Sequence, residues 1–298
     1  MQHELLIAIL AGFGGMIGWG FADFFAKKTV DQIGSVASLV WAHIFGSLIL
    51  IGAVIFKTLI IRETLILPVD LSSWGFLLFF GILQAVVYLL VYEGFSKGKL
   101  AVLNPVFASY SGIAAIFSIV AFGEALSGSL LLALGFVFGG ILLLNIDPHA
   151  SGYKKLNLLR TPGLKEMLLA SFLAAFWTIT WSKFVEGKDW LSFALFMYLF
   201  MTATAIFIAK IQKINLNVGS FGLWKFLILI GLCEVAAYLS ISLGFSRTGF
   251  ISIIALLSGS FSLPTLLLSH FFLKEEITQI QRVGGIVIII GIIILSIY

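Results

Sequence analysis

The chain has 298 residues; 60% belong to the set AVILMFWYC, only 11% are charged, and the formal net charge is +4. A water-soluble domain carries about a quarter charged residues, so a soluble enzyme or binding module is excluded and most of the outer surface must face lipid, in line with a mean hydropathy of +1.13. The few basic residues are scattered over short loops and offer no nucleic-acid surface, while the single cysteine, Cys233, excludes a disulfide framework and a thiolate metal cluster.

A bilayer core about 30 Å thick needs roughly 20 apolar residues per helix. Apolar runs between polar or Gly/Pro breaks predict ten spans, near residues 5–26, 35–56, 73–95, 100–122, 127–146, 163–184, 190–210, 220–245, 249–273 and 280–298. Strands are not expected, because the runs are too long and lack the alternation of an outer-membrane barrel. The first run has no small-residue cleavage pattern and ends in Lys27-Lys28, so it reads as a retained span. It carries Trp19 and Asp23; the latter is placed either to pair with Lys27 one turn on or to face a cavity. Small-residue stripes, Gly14-x3-Gly18 here and Gly135-x3-Gly139 in the fifth span, predict close helix packing. The second span contributes Trp41 and His43, the third Gln84 and Tyr88, and the fourth Pro105 and Tyr110. A polar interruption from Asp147 to Thr161 divides the chain into halves, 1–150 and 151–298. Beyond it come Trp177 and Trp181 in the sixth span, Tyr198 in the seventh, Glu234 and Tyr238 in the eighth and Pro264 in the ninth.

The halves resemble each other. Shifted by 150 residues, Trp74 meets Trp224, Phe76 Phe226, Leu77 Leu227, Gly81 Gly231, Tyr88 Tyr238, Leu89 Leu239, and Gly94-Phe95-Ser96 meets Gly244-Phe245-Ser246. After one slip, Glu124 and Ser127 lie over Glu275 and Thr278. A Trp pair, a Tyr pair and two Gly pairs in register are more than shared hydrophobicity supplies. Five spans per unit is an odd number, so the second unit must enter the membrane from the opposite face. The fold expected is an all-α membrane protein of ten transmembrane helices in two inverted five-helix repeats, an arrangement that places a solute site near the midplane between the halves.

Ionisable groups at membrane depth cost about 2.5–3.5 kcal/mol on insertion scales and usually face a cavity or a partner. Glu234 is the deepest carboxylate, and its repeat mate is Gln84. Tyr88 and Tyr238 follow these by four residues and so share their helix faces. Gln84, Tyr88, Glu234 and Tyr238, with Trp19, Trp41, Tyr110 and Trp177, are therefore the candidate solute-binding residues, an aromatic wall suited to amphipathic or cationic molecules. Glu234 and Asp23 are the candidates for proton coupling. His43 reads as a structural hydrogen-bonding residue; Glu93, Glu124, Lys183 and His270 stand near helix ends, where their side chains can reach headgroups.

With its duplicated unit, the Gly-Phe-Ser repeats, and Pro264 followed by Glu275 and Thr278 before a Gly-rich last helix, the chain resembles the EamA-type drug/metabolite transporters over essentially its full length. In the first unit Ile113 stands where that proline would fall. The resemblance implies a multi-pass protein of the inner or plasma membrane that exports or exchanges a small metabolite, as monomer or homodimer, with no cofactor and no nucleic-acid partner. It also implies cytoplasmic termini, whereas Lys and Arg concentrate on the loops opposite the termini, which predicts the reverse. A flippase for a lipid-linked substrate is the alternative. A membrane-embedded enzyme is disfavoured by the lack of a catalytic cluster, a channel by the lack of a filter loop or charge ring, and ATP coupling by the lack of a phosphate-binding loop.

Overall fold

The computed structural model describes residues 2–124, 126–144 and 162–297, so the polar interruption that separates the halves lies outside the described residues. Described residues form helices without strands: α1 Gln2–Ile33, α2 Ser35–Ile55, α3 Leu71–Lys97, α4 Leu100–Ala108, α5 Tyr110–Ala121, α6 Gly128–Leu144, α7 Leu164–Val185, α8 Trp190–Ile211, α9 Phe221–Arg247, α10 Ile251–Gly259, α11 Ser262–Leu268 and α12 Gln279–Ile297. Gly34, at φ 82°, makes the one-residue reversal between α1 and α2 that a side chain would resist. Asp70 caps α3 through the Ser73 N–H at 2.7 Å, and Asp189 caps α8 through Leu191 and Ser192.

Among the described residues, eight helical stretches are long and apolar enough to cross a membrane, counting α4 with α5 and α10 with α11 as single stretches. The expected fifth and tenth spans are the shorter apolar helices α6 and α12. Each expected fourth-position span is broken, at Ser109 in the first half and at Ser260–Phe261 in the second. Pro264 lacks the N–H that would bond Ser260 four residues back, which explains the second break. Pro105 instead frees the Ala101 carbonyl, which accepts from Gln281 Nε2 at 3.2 Å.

Lipid is as apolar as leucine, so helices associate here through close packing and hydrogen bonds rather than through a hydrophobic drive. Gly14 lies against Ser240 and Gly18 against the Cys233 carbonyl, while Phe25 meets Phe226 at 5.8 Å, so α1 runs antiparallel to α9. Gly94 faces Met167 and Phe76 faces Phe184 at 5.5 Å, so α3 runs antiparallel to α7. Lys97 pairs with Glu166 at the start of α7 at 2.6 Å, whereas the Ser246 carbonyl meets Gly187 just beyond its end. The stretches around Lys97 and Arg247 thus lie at opposite ends of a helix about 33 Å long. The Gly14-x3-Gly18 stripe packs as expected. Gly135 and Gly139 face open space instead, and Gly140, one residue on, receives Gly284 and Ile288.

Candidate functional site

A small cavity sits where α1, α3, α4, α5, α7 and the α10–α11 break converge. It is lined by Trp19, Asp23, Gln84, Tyr88, Phe107, Tyr110, Ala174, Trp177, Thr178 and Phe261. Its space for water centres is about 20 Å³, enough for one or two waters and too little for a metabolite.

Four polar atoms around this space have no hydrogen-bond partner: Trp19 Nε1, Trp177 Nε1, Gln84 Oε1 and Asn104 Oδ1. Buried polar atoms left unpaired each cost about 1–3 kcal/mol, so a water or a solute admitted to this space would find hydrogen-bond partners there. Asp23 is 4% exposed and accepts from Asn104 Nδ2 at 2.6 Å. It does not pair with Lys27, which reaches Asp31 at 2.8 Å and the Phe95 carbonyl at 2.7 Å. The interfacial i,i+4 pair is thereby replaced by a carboxylate that faces the cavity.

Glu234 lies one layer behind. It is fully buried, with Tyr92 donating to Oε1 at 3.1 Å and Tyr198 to Oε2 at 3.0 Å. His43 Nε2 stands 3.5 Å from Oε2, and the ring is fixed by an Nδ1 contact of 2.7 Å with the Leu39 carbonyl and by stacking on Tyr198. Among the described residues, neither Glu234 nor Asp23 has a Lys or Arg partner.

Tyr238 joins the two layers. It accepts from Gln84 Nε2 at 2.6 Å and meets Trp19, Trp177 and Tyr198 edge to face at 5.7, 5.9 and 5.6 Å. Of the residues expected from sequence, Trp19, Asp23, Gln84, Tyr88, Tyr110 and Trp177 line the cavity, and Glu234 and Tyr238 back it. Trp41 does not belong: its Nε1 bonds the Leu216 carbonyl at 2.8 Å and its ring packs on Trp224. Tyr92, Tyr198 and His43 surround Glu234 and Asn104 bonds Asp23, four residues that the sequence did not put among the candidates. Tyr92 follows Gln84 by eight residues, two turns along the same helix face, and that spacing was its available signal.

Glu124 and His270 also depart from expectation. Glu124 turns inward to Ser118 and Ser252, and His270 Nδ1 meets the Glu275 carbonyl at 2.8 Å. Glu93 lies 4.0 Å from Lys97, and Lys183 reaches Glu186 at 3.2 Å.

The EamA-like transporter family matches the chain twice, over residues 6–146 and 161–297. Curated protein sequences give no match. Solved structures are similar in fold, among them a crystal structure with a TM-score of 0.75 over 97% of this chain and 96% of that one at 15% identity.

Proposed function

The chain belongs to the EamA-like transporter family, and from that premise we propose that it is a secondary carrier of a small organic metabolite. In this reading it spans the inner or plasma membrane ten times, as two five-helix units, 1–150 and 151–298, that thread the lipid in opposite senses. The antiparallel pairs α1–α9 and α3–α7, with Lys97 and Arg247 at opposite ends of α7, support that threading. Rocking of one unit against the other opens the closed cavity to each side in turn.

The observation that carries the reading is the pair Asp23 and Glu234, two buried carboxylates that among the described residues have no Lys or Arg partner, beside a cavity where several polar atoms are left unpaired. Removing an ionised carboxylate from water costs several kcal/mol unless a countercharge or a proton accompanies it. A proton, or an amine on the solute, supplies that compensation. Asp23 faces the solute, the indole N–H groups of Trp19 and Trp177 donate to its acceptors, and Gln84 Oε1 accepts from its donors. Glu234, screened by Tyr92 and Tyr198, holds the coupling proton away from the solute. Export or exchange uses the proton or solute gradient.

Purified protein in proteoliposomes tests this. Vesicles preloaded with a metabolite mixture are expected to accelerate saturable uptake of one labelled component, and an imposed pH gradient to drive it. Uptake that stays linear with concentration and ignores both preloading and pH would end the proposal.

A further inference from the structure

A second concavity, of about 580 Å³, opens on the lipid-facing surface among α3, α5 and α7. Its wall is aromatic: Phe76, Phe80, Phe117, Phe122 and Phe184. Phe76 and Phe117 are 53% and 45% exposed on helices apolar enough to cross a membrane, so an acyl chain of the bilayer can reach the trough from the side. Two cations stand at one end of it, Lys183 in the last turn of α7 and Lys188 just beyond that helix.

Neither ammonium is fully used. Lys188 donates to the Phe184 carbonyl, and its nitrogen lies 4.1 Å from the centre of the Phe184 ring and 5.6 Å from that of Phe193. Among the described residues it has no carboxylate within 4 Å. Burial holds its amine below the ordinary lysine value although the charge of Asp70, beyond pairing distance, pulls the other way. Lys183 lies 4.7 Å from the centre of the Phe122 ring, and its one anion among the described residues is the exposed Glu186 at 3.2 Å. An ammonium has three donors and no acceptor, so both groups retain donors at the level where α7 leaves the membrane.

An apolar trough at membrane depth, ending in two incompletely paired cations at the interface, has the polarity of one ligand class. We propose that it binds a single anionic phospholipid, with an acyl chain along the phenylalanines and the phosphate between Lys183 and Lys188. The site is separate from the central cavity but touches its wall, because Phe80 meets Trp181 edge to face at 5.4 Å and Trp181 stacks on Trp177 at 5.5 Å. The proposal requires only that the protein sits in a bilayer; it does not rest on the transport reading.

Native mass spectrometry of detergent-purified full-length protein, titrated with phosphatidylglycerol or phosphatidylcholine of matched chains, tests it. One phosphatidylglycerol adduct is expected to saturate ahead of phosphatidylcholine, with roughly tenfold weaker binding in the Lys183→Gln/Lys188→Gln variant. Thr180→Trp, which fills the trough and leaves both lysines, is expected to weaken it as well, while Lys183→Arg/Lys188→Arg retains it. Equal phosphatidylglycerol binding by wild type and the Gln pair, or an unsaturating series of adducts alike for both lipids, would overturn the site and leave annular lipid only. Melting temperatures of the four proteins, measured without added lipid, separate lost binding from lost folding.

Discussion

Glu124 closes on Ser252: Oε1 accepts the serine hydroxyl at 2.6 Å and Oε2 its backbone N–H at 3.0 Å. Glu275, 151 residues after Glu124, does the same for the other half, accepting the N–H groups of Leu100 and Ala101 at 3.3 and 2.7 Å. Each unit thus supplies the acid that satisfies the first turn of the other unit's broken helix. Helix starts carry N–H groups with no intrahelical acceptor, and in a membrane no water replaces one that is lost.

These two reciprocal caps predict a matched pair of stability losses. Glu124→Ala and Glu275→Ala are each expected to lower stability by about 1–2 kcal/mol, with the Gln variants less affected. The caps share no partner, so the double Ala variant should show the sum. Thermal unfolding in detergent reads the effect. Ala variants that melt with wild type would remove the caps from the account of how the halves are joined.

Gly231 predicts a larger loss from a smaller change. A Cβ there would stand 2.7 Å from the Gly46 nitrogen and 2.8 Å from the Ala42 oxygen, both backbone atoms that cannot swing away. Gly231→Ala is expected to separate α2 from α9 and cost about 1–3 kcal/mol. Gly139→Ala, which meets nothing within 4 Å, should be neutral or stabilising by about 0.4–1 kcal/mol through the unfolded state. The comparison is made by the same unfolding measurement. Similar melting of the two variants would contradict the α2–α9 contact.

The contrast between those two glycines also shows where sequence was informative. Span positions depend on hydropathy, which is local, so most helices were legible, and Gly81 and Gly231 disclosed the duplication because each must admit a neighbouring backbone. Packing direction is not local. Gly135-x3-Gly139 has the spacing of an interface, yet Gly140 occupies it, because a stripe does not say which way a helix is rotated. Gln84, Tyr88 and Tyr238 were readable from shared faces, whereas the Tyr198–Glu234 and Asn104–Asp23 contacts join residues on different helices. Repeat symmetry was a poor guide to those partners. Tyr88 stands over Tyr238 in the repeat, but Glu234 takes its hydrogen bonds from Tyr92 and Tyr198 instead.

Outside the membrane-spanning segments, two capping aspartates make stability depend on pH in acid. Hydrogen bonds from the Ser72 hydroxyl and from the Ser73 hydroxyl and N–H hold Asp70 down at about 2. For Asp189 burial alone would raise the value, but the Ile66 and Ser192 N–H groups and Lys57 outweigh it, leaving a net lowering. A carboxylate held low in the fold stabilises it fully above the unfolded value, about 3.9, and loses that contribution as pH falls toward the folded value. Wild type should therefore lose melting temperature between about pH 4 and pH 2 more steeply than Asp70→Asn, whose amide still caps. Parallel pH profiles for the two proteins would contradict the assignment at Asp70.

The coupling role proposed for Glu234 separates from a structural one through the pH profile of transport. Glu234→Gln keeps size and can still bond Tyr92 and Tyr198, so the fold should survive and solute counter-exchange at a fixed pH should persist. What the amide cannot do is exchange a proton. The pH dependence of net uptake should therefore flatten, and a pH gradient should no longer drive accumulation. Tyr92→Phe and Tyr198→Phe each remove one donor from a carboxylate that keeps its proton chemistry. They should move the midpoint of the profile without flattening it, each with a stability loss of about 1 kcal/mol. Asp23→Asn, at the cavity wall, is expected to raise KM by about tenfold or more, as loss of a charged partner does, with the pH profile retained. A Glu234→Gln protein that still accumulates solute against its gradient under an imposed pH difference would move the coupling to another group, and Asp23 would be the next carboxylate to test.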